Sequence, residues 1–180
     1  VPAFLEQPFI KNKSLKVNDF IVEKVAAIKE NISVKRLTTF NEGLVHSYIH
    51  MGSKLGVLLE MGADNALANN PEYVELSKDL TMQIAAANPL FIDRKSVPSE
   101  VIEKEKEIYR GQMAEQKKPA AVIEKIIEGK INKFFGEICL LEQPFVKNPD
   151  QKVDQYLAEK AKILNQPVAI KKFVRFKIGE

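Results

Sequence analysis

Tryptophan is absent from the 180 residues, and cysteine occurs once, at Cys139. A single thiol excludes an internal disulfide framework and a cysteine cluster for zinc. Its apolar flank of Ile138, Leu140 and Leu141 predicts a buried thiol in a reducing compartment, so a cytoplasmic or organelle-interior location is expected. Long apolar runs are missing as well. The most apolar stretches, such as Val122 to Ile131, are broken by Glu and Lys, so none reaches the roughly 20 apolar residues that span a bilayer, and the opening residues are not expected to be a signal peptide. Charge of one sign is also lacking. The 27 Lys and Arg are mixed along the chain with 24 Asp and Glu, and the net +3 is too weak a bias to predict a nucleic-acid binder. What is present is 45% apolar and 28% charged residues, enough for a real core in one or two domains. The chain starts on Val1 rather than Met, and is expected to be a piece of something longer.

An internal repeat organises the chain. Phe4-Leu5-Glu6-Gln7-Pro8-Phe9-Ile10-Lys11-Asn12 returns as Leu140-Leu141-Glu142-Gln143-Pro144-Phe145-Val146-Lys147-Asn148. The register then holds without a gap: Lys16-Val17 on Lys152-Val153, Phe20-Ile21 on Tyr156-Leu157, Glu23-Lys24 on Glu159-Lys160, Phe40 on Phe176 and Gly43 on Gly179. Only Val1 to Ala3 precede the first copy, which therefore reads as the tail of a unit whose head is missing. Residues 1–43 are expected to finish a truncated first core subdomain, and residues 44–180 to form a second, nearly complete one.

Each copy reads as a helix followed by a strand. Val17, Phe20, Ile21, Val25 and Ile28 recur at helical spacing with Asn18 as the cap, and Val153, Tyr156, Leu157, Ala161 and Leu164 repeat them. Ile32, Val34, Leu37 and Phe40 predict a strand in the first copy, and Val168 to Ile178, entered through Pro167, predict one in the second. Between the copies, Leu44 to His50 and Leu55 to Met61 form a hairpin over Met51-Gly52-Ser53-Lys54. Pro71 opens a helix carrying Tyr73, Leu76, Leu80, Ile84 and Ala85 on one face, and Asn88-Pro89 stops it. Residues 98–136 read as a helical hairpin. Narrow stripes (Val101, Ile102, Ile108, Met113, then Val122, Ile123, Ile126, Ile127, Ile131, Phe134) flank a turn at Lys117-Lys118-Pro119 and predict a projecting antiparallel coiled coil, the alternative being two helices lying flat on the core. The expected fold is α+β: an antiparallel sheet packed by helices, with this projection and a duplicated core.

Signatures of covalent chemistry are missing. His46 and His50 stand four apart, but on a strand, with no third ligand, so ordinary surface histidines are expected rather than a metal site. Neither Gly52-Ser53-Lys54 nor Gly129-Lys130 completes a phosphate loop, and no Gly-x-Ser-x-Gly nucleophile elbow exists. Glu103 and Glu105 read as a solvated helix face. In Lys171-Lys172-Phe173-Val174-Arg175-Phe176-Lys177, cations interleave with aromatics, as in a stacking platform for nucleic acid. The same alternation is that of a half-buried edge strand, the preferred reading.

Several segments, in order and spacing, resemble elongation factor Ts: Ser47-Tyr48-Ile49-His50, Leu55-Gly56-Val57-Leu58-Leu59-Glu60, Met82-Gln83-Ile84-Ala85-Ala86-Ala87-Asn88-Pro89, Glu103-Lys104-Glu105, Ile127-Glu128-Gly129-Lys130 and Leu141-Glu142-Gln143-Pro144-Phe145-Val146-Lys147. The likeness covers essentially the whole chain. It implies a guanine nucleotide exchange factor for the translation GTPase elongation factor Tu, in a bacterial cytoplasm or a plastid. Such a factor acts by binding, without cofactor, metal or direct contact to nucleotide. The family's amino-terminal ubiquitin-associated-like domain has no counterpart here, nor has the first-subdomain Thr-Asp-Phe-Val motif. In the corresponding place of the second copy stands Gly62 to Asn70, where Asp64 keeps the motif's Asp, Asn65 replaces its Phe, and Leu67 is the nearest sizeable apolar side chain. The fragment is therefore expected to dock without strongly expelling nucleotide.

Carried over by residue, the resemblance implies that His50, at the end of a strand with Tyr48, contacts the third domain of the GTPase. The Phe145-Val146 turn implies a second contact, with Lys147 where some members have Met, and Ile28 a third, with Lys29 in place of a frequent Gly. Each has a structural alternative: Ile28 or Phe145 as core, His50 as a solvated strand end. The competing function is an assembly scaffold whose coiled coil and basic strand recruit an RNA-containing complex.

Overall fold

The computed structural model describes residues 1–50, 52–113 and 119–180. The chain divides into two units, Val1–Thr39 and Phe40–Glu180.

In the first unit a short helix α1 (Pro2–Leu5) leads to two short antiparallel strands, β1 (Pro8–Phe9) and β2 (Asn12–Lys16), and then to α2 (Val17–Ile28). The Val17 N–H donates to the Gln7 carbonyl at 2.9 Å and ties the start of α2 to β1. Asn18 is not the cap. The backbone is still extended at Lys16 (φ −79°, ψ 160°), whose N–H donates to Asp19 Oδ2 at 3.2 Å, so the cap falls two residues earlier and Asn18 lies in the first turn. Phe9 stacks on Phe20 with ring centroids 4.1 Å apart. Lys29 closes α2 in the left-handed conformation, φ 61°. The strand expected over Ile32 to Phe40 does not form. A strand exists by pairing, and among the described residues this unit holds only the two- and five-residue strands β1 and β2, already paired with each other.

In the second unit, β3 (Leu44–Ile49), β4 (Leu55–Gly62) and β7 (Ala169–Lys177) make an antiparallel sheet in the order β3-β4-β7. The hairpin between β3 and β4 pairs Leu44 with Met61 and Ile49 with Gly56. Gly52 and Ser53 carry its reversal with φ 84° and 55°; Met51 lies outside the described residues. Gly43, at φ 89°, is required where the chain enters β3, because a Cβ there would stand 2.7 Å from the Met61 carbonyl oxygen. β7 is an edge strand, with Lys171, Lys172 and Lys177 exposed and Phe173, Val174 and Phe176 half-buried, and Lys172 Nζ lies 4.6 Å from the centroid of the Phe40 ring.

The helix α3 (Pro71–Ala87) lies against this sheet. The Asn70 side chain accepts from the Glu72 and Tyr73 N–H groups, Pro71 occupies the first turn, and Asn88 ends the helix at φ 48°. Its Tyr73, Leu76, Leu80 and Ile84 meet Val57, Leu59 and Met61, every second residue of β4, in one apolar cluster. Each such aliphatic side chain, fully removed from water, contributes about 1.5–3 kcal/mol. Leu67, in the short helical turn Asn65–Asn69, belongs to the same cluster.

A second cluster gathers Val97, Ile127, Ile131, Phe135, Ile138 and Cys139 around α5 (Ala120–Ile138), with Val101, Ile102 and Tyr109 of α4 (Ser99–Met113) packed on it. Polar pairs link α4 to α5: Arg110 to Glu124 at 3.4 Å and Lys130 to Gln112 at 2.9 Å. Lys117 and Lys118 of the expected turn lie outside the described residues. No helix described is long and apolar enough to cross a membrane.

After the turn Leu140–Glu142 come β5 (Pro144–Phe145), β6 (Asn148–Lys152) and α6 (Val153–Leu164). The local geometry matches that of the first unit. Pro144 pairs with Lys152 and Phe145 with Asn148, as Pro8 with Lys16 and Phe9 with Asn12. The Val153 N–H donates to the Gln143 carbonyl at 3.1 Å. Phe145 stacks on Tyr156 at 4.2 Å, and Asn165 closes α6 at φ 50°. The mixture of helices and antiparallel sheet is the expected α+β class.

Candidate functional site

The segment Gln143 to Lys147 crosses α3 where the helix carries two polar residues one turn apart, Asp79 and Gln83. Both are buried, at 3% and 0% exposure. Gln83 Nε2 donates to the Pro144 carbonyl and to Gln143 Oε1, each at 3.2 Å, while its Oε1 accepts the Val146 N–H at 2.8 Å. Gln143, itself buried, donates to the Glu137 carbonyl at 2.7 Å and so joins the turn to the end of α5. Asp79 accepts the Tyr156 hydroxyl at 2.8 Å on one oxygen, and the Lys147 ammonium stands 2.6 Å from the other. Burial and then the neighbouring Asp79 push the Tyr156 phenol well above its ordinary value, so the hydroxyl is a fixed donor.

Two concavities flank this turn. One, of about 320 Å³, is lined by Tyr48, His50 and Leu55 from the sheet, by Met82, Ala85 and Ala86 from α3, and by Val146 and Lys147. The other, of about 420 Å³, lies between the end of α5 and Pro149, and Val146 lines it too. The first is mostly apolar, with three polar groups in its lining, on Tyr48, His50 and Lys147. Tyr48 Oη lies 2.9 Å from His50 Nδ1, and Lys147 is about half exposed.

Four residues singled out from separate stretches of sequence therefore meet on one cavity: Tyr48, His50, Val146 and Lys147. Phe145, between them in sequence, turns the other way, 4% exposed and stacked on Tyr156. Leu67 also points inward at 5% exposure, and Asp64 caps its turn by accepting the Ala66 N–H at 2.8 Å. Ile28 and Lys29 belong to the first unit, where Ile28 is 55% exposed at the end of α2. His46 is not the surface histidine expected. It is half-buried, its Nε2 lies 3.1 Å from Tyr73 Oη, and desolvation lowers its pKa. Among the described residues no three His, Cys, Asp or Glu side chains group as a metal site. Asp79 and Gln83 were missed; the available signal was a polar pair at i, i+4 inside the apolar stripe of α3.

A family model described as Elongation factor TS matches residues 3–180. The chain belongs to the elongation factor Ts family. An elongation factor Ts from Trichlorobacter lovleyi is 42% identical over all of this chain and 59% of its own length. One from Thermodesulfovibrio yellowstonii is 49% identical over 77% of this chain and 69% of its own length, and one from Clostridium perfringens is 45% identical over 91% and 54%. The chain thus spans a little over half to about two thirds of these elongation factor Ts proteins.

Proposed function

We propose that this chain is the docking part of a guanine nucleotide exchange factor and that it binds elongation factor Tu through the cavity between β3, α3 and the 143–147 turn. The observation that carries this reading is the meeting of Tyr48, His50, Val146 and Lys147 on one cavity, although almost a hundred residues separate the two pairs. Membership of the elongation factor Ts family supports the partner. In this reading Phe145 acts indirectly, as the buried anchor of the turn, and Ile28 with Lys29 supplies a separate contact from the first unit. Leu67 serves the core rather than an exchange wedge.

The matching geometry of residues 4–29 and 140–165 supports a duplicated core, with residues 1–43 as the tail of a first subdomain and 44–180 as the second. The packing of α4 on α5, with Lys106 paired to Glu103 on α4 and Arg110 to Glu124 between the two helices, supports a projecting helical hairpin near residues 98–136. The activity is one of binding. A factor that favours the nucleotide-free GTPase lowers nucleotide affinity by the same factor, and needs no covalent step.

The test is a calorimetric titration into GDP-loaded elongation factor Tu, with release of a fluorescent GDP analogue followed on the same samples. Binding with little acceleration of release is the expected result, and His50→Ala weakens it. Absence of binding overturns the reading.

A further inference from the structure

Asp79 and Gln83 are polar groups placed where apolar side chains would be buried at less cost. Each of their polar atoms is directed at the 143–147 turn or at the ring beneath it. Gln83 holds the backbone at Val146 and Pro144 and meets the Gln143 side chain, while Asp79 holds the Lys147 ammonium and the Tyr156 hydroxyl under Phe145. Two side chains of α3 thus fix a short surface segment at both ends.

We propose that Asp79 and Gln83 are positioning residues for docking. Gln83 sets the backbone of Val146 so that its side chain stands between the two cavities. Asp79 tethers Lys147 on the cavity shared with His50 and leaves ammonium donors free for a carboxylate or carbonyl oxygen of the partner. The site selects a partner that offers an oxygen acceptor beside an apolar side chain. This inference rests on the docking reading above.

The test uses the full chain with Gln83→Met, Asp79→Asn, Lys147→Met and the double variant of the last two. The readouts are amide exchange at Val146 in the free protein and affinity for GDP-bound elongation factor Tu. Gln83→Met is expected to speed Val146 exchange by about tenfold and to weaken binding by a similar factor, while exchange in β4 stays unchanged. Asp79→Asn keeps the shape and an acceptor for Tyr156, and is expected to weaken binding several-fold in the wild-type background and not at all beside Lys147→Met. That cycle carries the test even if Gln83→Met fails to fold. Faster Val146 exchange with unchanged affinity, or additive effects of Asp79→Asn and Lys147→Met, assigns both residues to the fold alone and overturns the inference. If the wild-type chain binds no GTPase while Val146 exchange still responds to Gln83→Met, the docking reading itself fails, and the inference fails with it.

Discussion

Tyr156→Phe deletes one oxygen and leaves the ring stacked on Phe145. The lost hydroxyl donates at 2.8 Å to Asp79, a carboxylate 3% exposed. A hydrogen bond to a charged group contributes about 1.5–3 kcal/mol, and a buried acceptor left without its donor falls toward the upper end. Lys147, 2.6 Å from the other carboxylate oxygen, stays in place and limits the loss. The expected destabilisation is about 2 kcal/mol. Urea denaturation followed by far-ultraviolet circular dichroism reads it as a lower midpoint at constant slope. A loss below about 0.5 kcal/mol, the range of an ordinary surface substitution, would refute the reasoning, because the Asp79 carboxylate would then have no need of this donor.

Burial pushes the Tyr73 hydroxyl from 10.0 to about 12. The folded state therefore holds this proton more tightly than the unfolded chain, and the stability so gained is whole below pH 10 and lost as pH rises toward 12; a phenolate absorbance titration should show one late-ionising tyrosine fewer in Tyr73→Phe. Gly43→Ala forces a Cβ to 2.7 Å from the Met61 oxygen at φ 89°, and should lower the denaturation midpoint by the equivalent of about 2 kcal/mol. Lys29→Gly relieves a left-handed lysine at the end of α2, and should stabilise that helix by about 0.5 kcal/mol after the entropy of the added glycine is subtracted, measurable as slower amide exchange in α2.

Where local chemistry decides the structure, the sequence was legible. Asn70, Pro71 and Asn88 bound α3 by capping and backbone geometry that any chain with those residues would favour. Period-two apolar residues placed β3, β4 and β7. The strand expected over Ile32 to Phe40 failed because propensity cannot supply a neighbour, and β7, its counterpart in the repeat, forms only against β4. The site was half legible for the same reason. Tyr48, His50, Val146 and Lys147 were expected only because the resemblance implied them, whereas Asp79 and Gln83 acquire meaning only when a turn some 60 residues further on crosses them. The repeat separates these two kinds of information. At one position the first segment has Phe20 and the second Tyr156; the rings stack on their partners at 4.1 and 4.2 Å, both with an interplanar angle of 15°. The fold of this motif therefore requires an aromatic ring and is indifferent to the hydroxyl. The oxygen on Tyr156 answers to Asp79 of α3, a long-range demand met at one of the positions where the two stretches differ. Shared residues such as Gln143 and Lys147, which match Gln7 and Lys11, take their partners at the candidate site from α3, as the oxygen of Tyr156 does.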